Sequence, residues 1–166
     1  MISLVSDMVK INKENITGII LIFSIFLIDR ISKFIILNLD QLYGIKNYSL
    51  TSFINFELIW NKGIAFGLLS FDNAVFYHTI TIFILIVIIV LMFFFTKSNG
   101  LEKYSYAFIS GGALGNLYDR IFYNSVPDFI DLHINNFHWF VFNIADMFIT
   151  IGVLCLICVE IFKKDK

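Results

Sequence analysis

Two aspartates could do chemistry in this chain, because each lies beside a long apolar segment. Asp128 follows the third apolar segment, and Asp146 lies a few residues inside the fourth. If those segments are antiparallel neighbours, both carboxylates lie at the same end of a helical bundle. An ionised aspartate in the middle of a bilayer costs about 2.5–3.5 kcal/mol on insertion scales, so such residues usually face a polar cavity and serve a function.

The chemistry that these carboxylates could do depends on whether they meet. Two carboxylates in contact cannot both ionise easily, so the pKa of one rises and the pair holds one proton near neutrality. The ionised partner can then activate water while the protonated partner polarises an amide carbonyl, as in an aspartic protease. The alternative is that each aspartate forms an ion pair with Arg120, Arg30 or Lys33. Spacing alone leaves both interpretations open.

Further polar side chains accompany the aspartates at helical spacing. Asn143 precedes Asp146 by three positions, and Asn116, Asp119 and Arg120 share one helical face. The asparagines could hydrogen-bond a substrate backbone or orient the carboxylates. Asp119 and Arg120 either support the site or are charges at the membrane interface.

The elements that position these residues follow from composition. The 166 residues are 58% hydrophobic and 15% charged, with a mean hydropathy of +0.83. Soluble domains are about 45–50% apolar and about 25% charged. The solvent for most of this chain is therefore lipid, in which only helices or closed barrels can span. The long, continuous apolar runs favour helices and predict an all-α polytopic membrane protein.

Two classes of partner are disfavoured by the same composition. A net charge of −1 argues against nucleic acid, which requires a basic face. Cys155 and Cys158 lie within an apolar run, and no histidine or second cysteine pair lies near them in sequence. We interpret them as small residues facing lipid or another helix, and not as metal ligands.

The apolar segments predict four transmembrane helices in a single domain spanning residues 1–166, since about 20 residues cross roughly 30 Å of hydrocarbon. The predicted helices cover residues 16–39, 74–96, 104–121 and 137–162. The segments 40–72 and 122–136 are too polar to span. Each contains apolar and polar residues in alternation, near 56–60 and 130–134, which predicts a strand. Gly111 and Gly115 have the spacing that lets helices approach closely.

The distribution of basic residues predicts the orientation in the membrane. Lys10 and Lys13 precede the first helix, Lys97 and Lys103 lie in the turn after the second, and three lysines follow the last. Basic residues on the opposite side are spread over two much longer segments. We therefore expect both termini in the cytoplasm and the acidic window 110–146 on the outside.

Five motifs in order resemble those of the bacterial lipoprotein signal peptidase family, signal peptidase II. They are DRISK at 29–33, NKGIAF at 61–66, GGALGNLYDR at 111–120, VPDFI at 126–130 and FNIAD at 142–146. The resemblance covers residues 29–146. It implies four transmembrane helices with a small extracytoplasmic β-cradle, and it implies that Asp128 and Asp146 are the catalytic pair.

The resemblance also assigns supporting roles to eight other residues. Those that line or adjoin the site are Asn116, Asp119, Arg120 and Asn143, and those that shape the outer face or support the fold are Asn61, Gly63, Asp29 and Lys33. Two positions depart from the family pattern. Asn124 replaces a usual glycine, and asparagine is the residue next best able to adopt a left-handed conformation. Pro127 replaces a usual aliphatic residue and favours an extended conformation before it.

The implied reaction is hydrolysis of one peptide bond in a diacylglyceryl-modified prolipoprotein, directly before the lipid-modified cysteine. Such a substrate arrives laterally from membrane lipid, so an aspartate pair at the interface can meet the scissile bond. The resemblance implies no metal or organic cofactor, inhibition by globomycin-type lipopeptides, and a location in the bacterial cytoplasmic (inner) membrane. We expect a functional monomer, because one chain carries every group that the chemistry needs.

Two other functions remain as alternatives. A proton-coupled membrane carrier would use Asp29 and Asp146 as titrating sites, but it would need a path through the bilayer and usually internal repeats. A non-catalytic membrane subunit would pair Asp146 with Arg120 or Lys33. Both alternatives predict that Asp128→Asn leaves prolipoprotein processing intact.

Overall fold

Four helices and a four-stranded sheet make up the described part of this computed structural model, which comprises residues 13–44, 46–63, 74–135 and 137–164. The helices are α1 (Lys13–Tyr43), α2 (Ala74–Lys97), α3 (Gly100–Tyr123) and α4 (Ile144–Lys164). The strands are β1 (Lys46–Ser49), β2 (Ile54–Asn61), β3 (Val126–Ile134) and β4 (Phe137–Phe142). The first three helices coincide with the predicted ones and extend a few residues beyond them.

The fourth helix differs from the prediction at its start. Residues 137–142 form β4 instead of the first turns of a helix, and α4 begins at Ile144. This segment, FHWFVF, is rich in aromatic residues, which favour a pleated and half-buried surface. Asn143 then separates the strand from the helix, and its side chain accepts a hydrogen bond from the N–H of Asp146 at 3.1 Å. An asparagine in this N-cap position favours a helix start.

Contacts between helix ends show that the bundle runs alternately up and down. Asn15 near the start of α1 accepts a hydrogen bond from Lys103 near the start of α3, so these helices are parallel. Glu102 of α3 forms an ion pair with Lys163 at the end of α4, so α4 is antiparallel to α3. Only two residues connect α2 to α3, which makes them antiparallel as well. The sheet therefore lies at the end of the bundle opposite these contacts.

Helix α3 lies between the other three helices, and its glycines allow close packing. A Cβ on Gly115 would lie 2.5 Å from a carboxylate oxygen of Asp29 in α1, and one on Gly112 would lie 2.5 Å from the backbone oxygen of Ala145 in α4. A Cβ on Gly111 would lie 2.9 Å from the backbone oxygen of Ile22 in α1. The close approach predicted from Gly111 and Gly115 is confirmed, because a side chain at either position would collide with α1.

The sheet is antiparallel throughout, in the order β1-β2-β3-β4. The two predicted strands correspond to β2 and β3, whereas β1 and β4 were not predicted. Asn124 ends α3 with a φ of 53°, so the left-handed conformation expected at this position is confirmed. Pro127 is the second residue of β3 and lies opposite Trp60 of β2. Together these residues turn the chain sharply from α3 into the strand that carries Asp128.

The outer surface of the helices is apolar. Large exposed side chains include Phe23 on α1, Phe83 on α2 and Leu154 on α4. Two helices, over Val75–Lys97 and Ile144–Lys163, are long and apolar enough to cross a membrane by length and composition. Exposed apolar surface on this scale requires lipid or a partner to cover it.

Candidate active site

Asp128 and Asp146 are brought together at the end of the bundle next to the sheet. Asp128 is the third residue of β3 and is 2% exposed, and Asp146 lies in the first turn of α4 and is 5% exposed. Pairing with Ile59 of β2 fixes the position of Asp128 within the sheet. The two carboxylates thus reach one site from a strand and from a helix.

Asn143 contacts both carboxylates. Its side-chain nitrogen donates to Asp128 Oδ1 at 2.6 Å. Its side-chain oxygen accepts from the backbone N–H of Asp146 at 3.1 Å, and its own backbone N–H donates to Asp146 Oδ2 at 3.2 Å. This reciprocal pair of bonds has the pattern of a capping box, which fixes the start of a helix. The residue that caps α4 therefore also holds the two aspartates relative to each other.

Two further asparagines complete the hydrogen bonding of the pair. Asn61 Nδ2 donates to Asp128 Oδ2 at 2.9 Å, and Asn116 Nδ2 donates to Asp146 Oδ1 at 2.8 Å. Each carboxylate thus accepts two N–H donors, all of them neutral. Neutral donors orient the oxygens without cancelling their negative charge. Of the two roles left open for Asn116 and Asn143, bonding a substrate backbone or orienting the carboxylates, this geometry agrees with the second.

The environment of Asp128 favours its protonated form. Burial raises the pKa of Asp128 from its ordinary value of 3.8 to about 7, and the negative charge of Asp146 acts in the same direction. Hydrogen bonds from Asn61 and Asn143 oppose the rise in pKa without cancelling it. A proton is therefore readily held at this site near neutral pH.

Lys33 forms the centre of a buried charged cluster beneath the aspartate pair. Its ammonium group, 2% exposed, donates to Asp119 at 2.7 Å, to Asp29 at 3.0 Å and to the side-chain oxygen of Asn116 at 2.8 Å. Because Asn116 also donates to Asp146, its amide links the cluster to the aspartate pair. The three donors of an ammonium group are all used.

Arg30 is the second cation of the cluster, and the site residues inferred from the sequence did not include it. Its guanidinium donates two hydrogen bonds to Asp119, at 2.5 and 2.8 Å, and one to Asp29 at 2.7 Å. It also lies 4.7 Å from the ring centroid of Tyr118. Its position next to Asp29 in an apolar helix was the available signal, since a bidentate arginine is the usual partner of a buried carboxylate.

The ion pairs of the cluster bear on the two interpretations of the aspartates. Both of its cations form ion pairs with Asp29 and Asp119. Within the described residues, no lysine or arginine forms an ion pair with Asp128 or Asp146. The geometry therefore favours two interacting carboxylates over two separate ion pairs.

Arg120 lies on the opposite side of the aspartate pair from this cluster in the hydrogen-bond network. It is 4% exposed, its Nη2 donates to the backbone oxygen of Gly63, and its Cζ lies 5.5 Å from the ring centroid of Tyr77. Gly63 in turn donates its N–H to Asn61 Oδ1 at 2.8 Å. Nε and Nη1 of Arg120 are buried and have no hydrogen-bond partner among the described residues. Buried donors of this kind are rare and suggest an absent partner.

Asp29 connects the cluster directly to α4. One of its carboxylate oxygens accepts the backbone N–H of Ala145 at 3.1 Å. A carboxylate is favourable at a helix N-terminus, where free N–H groups and the helix dipole carry positive charge. All the site residues predicted from the sequence thus belong to one network. Residues 64–66, the rest of the motif that begins at Asn61, lie outside the described residues.

The chain is similar to a protein family and to individual known proteins along most of its length. The family described as signal peptidase (SPase) II matches residues 21–162. A lipoprotein signal peptidase of Pelagibacter ubique is 51% identical over 158 residues, which are 95% of each chain. One of Francisella tularensis subsp. novicida is 41% identical over 125 residues, which are 73% of this chain and 78% of the relative.

A solved structure is also similar in fold. It is described as a bacterial membrane enzyme determined by the in meso method, and it matches with a TM-score of 0.73 and 32% sequence identity over 89% of each chain. The family match extends from α1 to the end of α4, so it includes the aspartate pair, its asparagines and the charged cluster. On this match and on the identity to the Pelagibacter protein, the chain belongs to the signal peptidase II family.

Proposed function

We propose that this protein is an aspartic endopeptidase that removes the signal peptide from diacylglyceryl-modified prolipoproteins, cleaving directly before the lipid-modified cysteine. The observation that carries the proposal is the joint hydrogen bonding of Asp128 and Asp146 by Asn143, in a buried position and without an ion pair in the described chain. The relatives named above are lipoprotein signal peptidases, which supports the substrate class.

The reaction needs one proton on the pair. The ionised carboxylate takes a proton from a water molecule, whose oxygen attacks the scissile carbonyl carbon. The protonated carboxyl donates a hydrogen bond to the carbonyl oxygen and stabilises the charge that develops there. The carboxyl that took the water proton then donates it to the leaving nitrogen as the C–N bond breaks, so the pair again carries one proton. A pKa of about 7 for Asp128 supports a singly protonated pair at neutral pH.

The surrounding polar groups have separate tasks in this mechanism. Asn61, Asn116 and Asn143 fix the orientation of both carboxylates, so the pair is preorganised before substrate binds. The buried Nε and Nη1 of Arg120 are free to bind a backbone carbonyl of the substrate. The charged cluster of Asp29, Arg30, Lys33 and Asp119 holds α1, α3 and α4 at fixed positions.

An apolar groove next to the aspartate pair is evidence in favour of a lipid-anchored substrate. It has a volume of about 670 Å³ and lies between α1, the sheet and the start of α4. Phe129 and Ile130, which line it, directly follow Asp128, and Ile144 precedes Asp146 by two residues. An acyl chain or an apolar side chain of the signal peptide could lie there with the scissile bond close to the carboxylates.

The proposed setting is the bacterial inner membrane, crossed by all four helices. Lys13, Lys97, Lys103 and Lys163 lie at the end of the bundle away from the sheet, which favours that end for the cytoplasm. The sheet and the aspartate pair then lie at the outer face. Exposed Trp139 on β4 suits the membrane interface, where tryptophan is enriched. One chain holds the whole network, so a monomer suffices.

Cleavage of a defined substrate tests the proposal. A diacylglyceryl prolipoprotein is incubated in detergent with purified wild type, Asp128→Asn, Asp146→Asn and the control Asp40→Asn. Asp40 lies near the end of α1, outside the network. We expect cleavage before the modified cysteine by wild type and the control, inhibited by a globomycin-type lipopeptide, and a loss of at least about 10³-fold in both site variants.

Four results would count against the proposal. If both folded site variants still process the substrate, the protein is not an aspartic peptidase. If folded wild type cuts nothing, a carrier or a subunit becomes the better explanation. If only one variant loses activity, the second carboxylate has a supporting role. If wild type cuts at another bond, the proposed substrate class is wrong.

A further inference from the structure

A second group of ionisable side chains lies on the sheet, in the hairpin of β3 and β4. It consists of Asp131, which is fully buried, His133, and His138, whose side chain is 52% exposed. The pairing of β3 with β4 places His133 opposite His138, and their rings stack with centroids 5.2 Å apart. None of these residues contacts the aspartate pair through a described hydrogen bond, so the group is separate from the proposed active site.

Potential metal-ligand atoms of the three side chains lie close to one another. Asp131 Oδ2 lies 2.7 Å from Nδ1 of His138 and 3.7 Å from Nδ1 of His133. One ligand atom from each residue lies within 4.8 Å of the other two. Ligand atoms that lie about 2.0–2.2 Å from a tetrahedral zinc ion are roughly 3.4 Å from one another. The observed separations bracket this value, so small side-chain rotations would complete a three-ligand site.

Unpartnered atoms favour a cation here over hydrogen bonding alone. Asp131 Oδ1 and His133 Nδ1 are buried and have no hydrogen-bond partner among the described residues. Asp131 Oδ2 forms a hydrogen bond with Nδ1 of His138 at 2.7 Å and accepts a long bond of 3.4 Å from Asn55. In the part of the chain that the structure covers, no lysine or arginine forms an ion pair with Asp131. Buried polar atoms are nearly always paired, so Asp131 Oδ1 and His133 Nδ1 indicate a missing partner, which a cation bound by this group would supply.

We propose that Asp131, His133 and His138 bind a divalent transition-metal ion, with Zn²⁺ as the best match. Two imidazoles and a carboxylate suit Zn²⁺ and exclude the oxygen-preferring Mg²⁺ and Ca²⁺. Water from bulk solvent completes the coordination, because the exposed ring of His138 leaves one side open. The ion joins β3 to β4 and so stabilises the hairpin in which Asp128 precedes Asp131 by three residues. It takes no part in peptide hydrolysis.

Metal titration of the full-length protein tests this site. Tag-free protein in detergent is stripped with a chelator and titrated with ZnCl₂ by calorimetry or against a chromophoric zinc indicator. We expect one Zn²⁺ per chain with a Kd of about 10 μM or tighter, and a Kd raised at least tenfold in His133→Gln and His138→Gln. His78→Gln is the matched control, since His78 is the one histidine of the chain outside this group and lies at the start of α2.

Two further readouts separate this site from other sources of binding. Asp128→Asn should bind Zn²⁺ as wild type does, because the active-site carboxylates are not ligands. Zn²⁺ should raise the Tm of wild type and of His78→Gln but not of His138→Gln, in which an exposed side chain is changed and the fold is kept.

The proposal is overturned by either of two outcomes. One is that folded wild type binds no stoichiometric Zn²⁺ at about 100 μM. The other is that His78→Gln or Asp128→Asn weakens binding as much as His138→Gln does. Because the titration does not depend on peptidase activity, failure of the proposed function would leave this result unaffected.

Discussion

The side-chain nitrogen of Asn143 lies 2.6 Å from Oδ1 of Asp128. The same asparagine exchanges two hydrogen bonds with Asp146 and caps α4. One amide side chain thus couples the end of a strand to the start of a helix. The geometry of the aspartate pair is therefore set by secondary structure on both sides, and not by the carboxylates themselves.

A substitution can separate the hydrogen bond of Asn143 to Asp128 from its role as the N-cap of α4. Serine is as good an N-cap as asparagine, but it has no amide donor for Asp128. We expect Asn143→Ser to keep the Tm within a few degrees of wild type and to lower kcat by about 10²-fold, since small misplacements have effects of this size. Asn143→Ala should lose both stability and activity. Full activity of the serine variant in the prolipoprotein assay would mean that Asn143 acts only as a cap.

Activity should fall on the alkaline side of neutrality. The pair must carry one proton, and burial with the charge of Asp146 raises the pKa of Asp128 to about 7. Above that pH the proton is lost, so kcat/KM should decrease about tenfold per pH unit. The apparent pKa of this limb belongs to the pair. A kcat/KM that stays constant from pH 6 to 9, measured at substrate concentrations well below KM with enzyme of verified stability, would contradict the shared proton.

The stability of the fold should also depend on the protonation of Asp128, and this contribution should fall as the pH rises. Because the folded pKa of Asp128 lies above its ordinary value of 3.8, its contribution to stability is fully present below about pH 4 and is lost as the pH rises through about 7. Asp128→Asn has no such proton. The Tm of wild type relative to this variant should therefore decline between pH 4 and 7 and then level off. Parallel curves for the two proteins would assign the pH dependence to another group.

Close packing at Gly112 should be required for activity. A Cβ there would lie 2.5 Å from the backbone oxygen of Ala145, so α3 and α4 must separate in Gly112→Ala. Overpacking of this kind costs about 1–3 kcal/mol. It should also weaken the bond from Asn116 to Asp146, which crosses the same interface, and reduce kcat by about ten- to a hundredfold. Ser110→Ala is the control, because the buried hydroxyl of Ser110 has no described partner. Equal behaviour of the two variants would disprove the argument.

Lys33 should be essential for stability. It neutralises two buried carboxylates, and its removal leaves them with Arg30 alone. Loss of one partner from a buried ion pair costs about 3–5 kcal/mol, so Lys33→Met should unfold at a much lower temperature or denaturant concentration. Lys97→Met, at an exposed position, should change stability by less than about 0.5 kcal/mol. If the two variants unfold alike, the cluster does not hold the helices together.

Sequence patterns predicted most of the helical architecture because long apolar runs have few alternatives in lipid. The same reasoning failed at residues 137–142, where aromatic residues of β4 continue into the apolar run of α4. Hydropathy measures burial in lipid and does not distinguish a strand at the interface from a helix. In this stretch of sequence, Asn143 is the one residue that indicates the boundary between β4 and α4. Its role there depends on its contact with Asp128, which a local sequence pattern does not reveal.

The site residues could be found in the sequence, but their connections could not. Spacing placed Asp128 and Asp146 at one end of the bundle and left open whether a cation neutralised each of them. In the structure Lys33 and Arg30 contact Asp29 within α1 and Asp119 in α3. The pairings with Asp119 join positions more than 80 residues apart and are set by helix packing. Asp131 and His133 were likewise seen only as alternating strand residues, and His138 fell within the predicted fourth helix.

The charged cluster is electroneutral, since the carboxylates of Asp29 and Asp119 balance the cations of Lys33 and Arg30. A singly protonated aspartate pair carries one negative charge, and the buried guanidinium of Arg120 carries one positive charge. The network formed by these residues therefore has no net charge only while one proton stays on the pair. A change in proton count leaves an uncompensated charge in a medium of low permittivity, which favours the protonation state that the proposed mechanism needs.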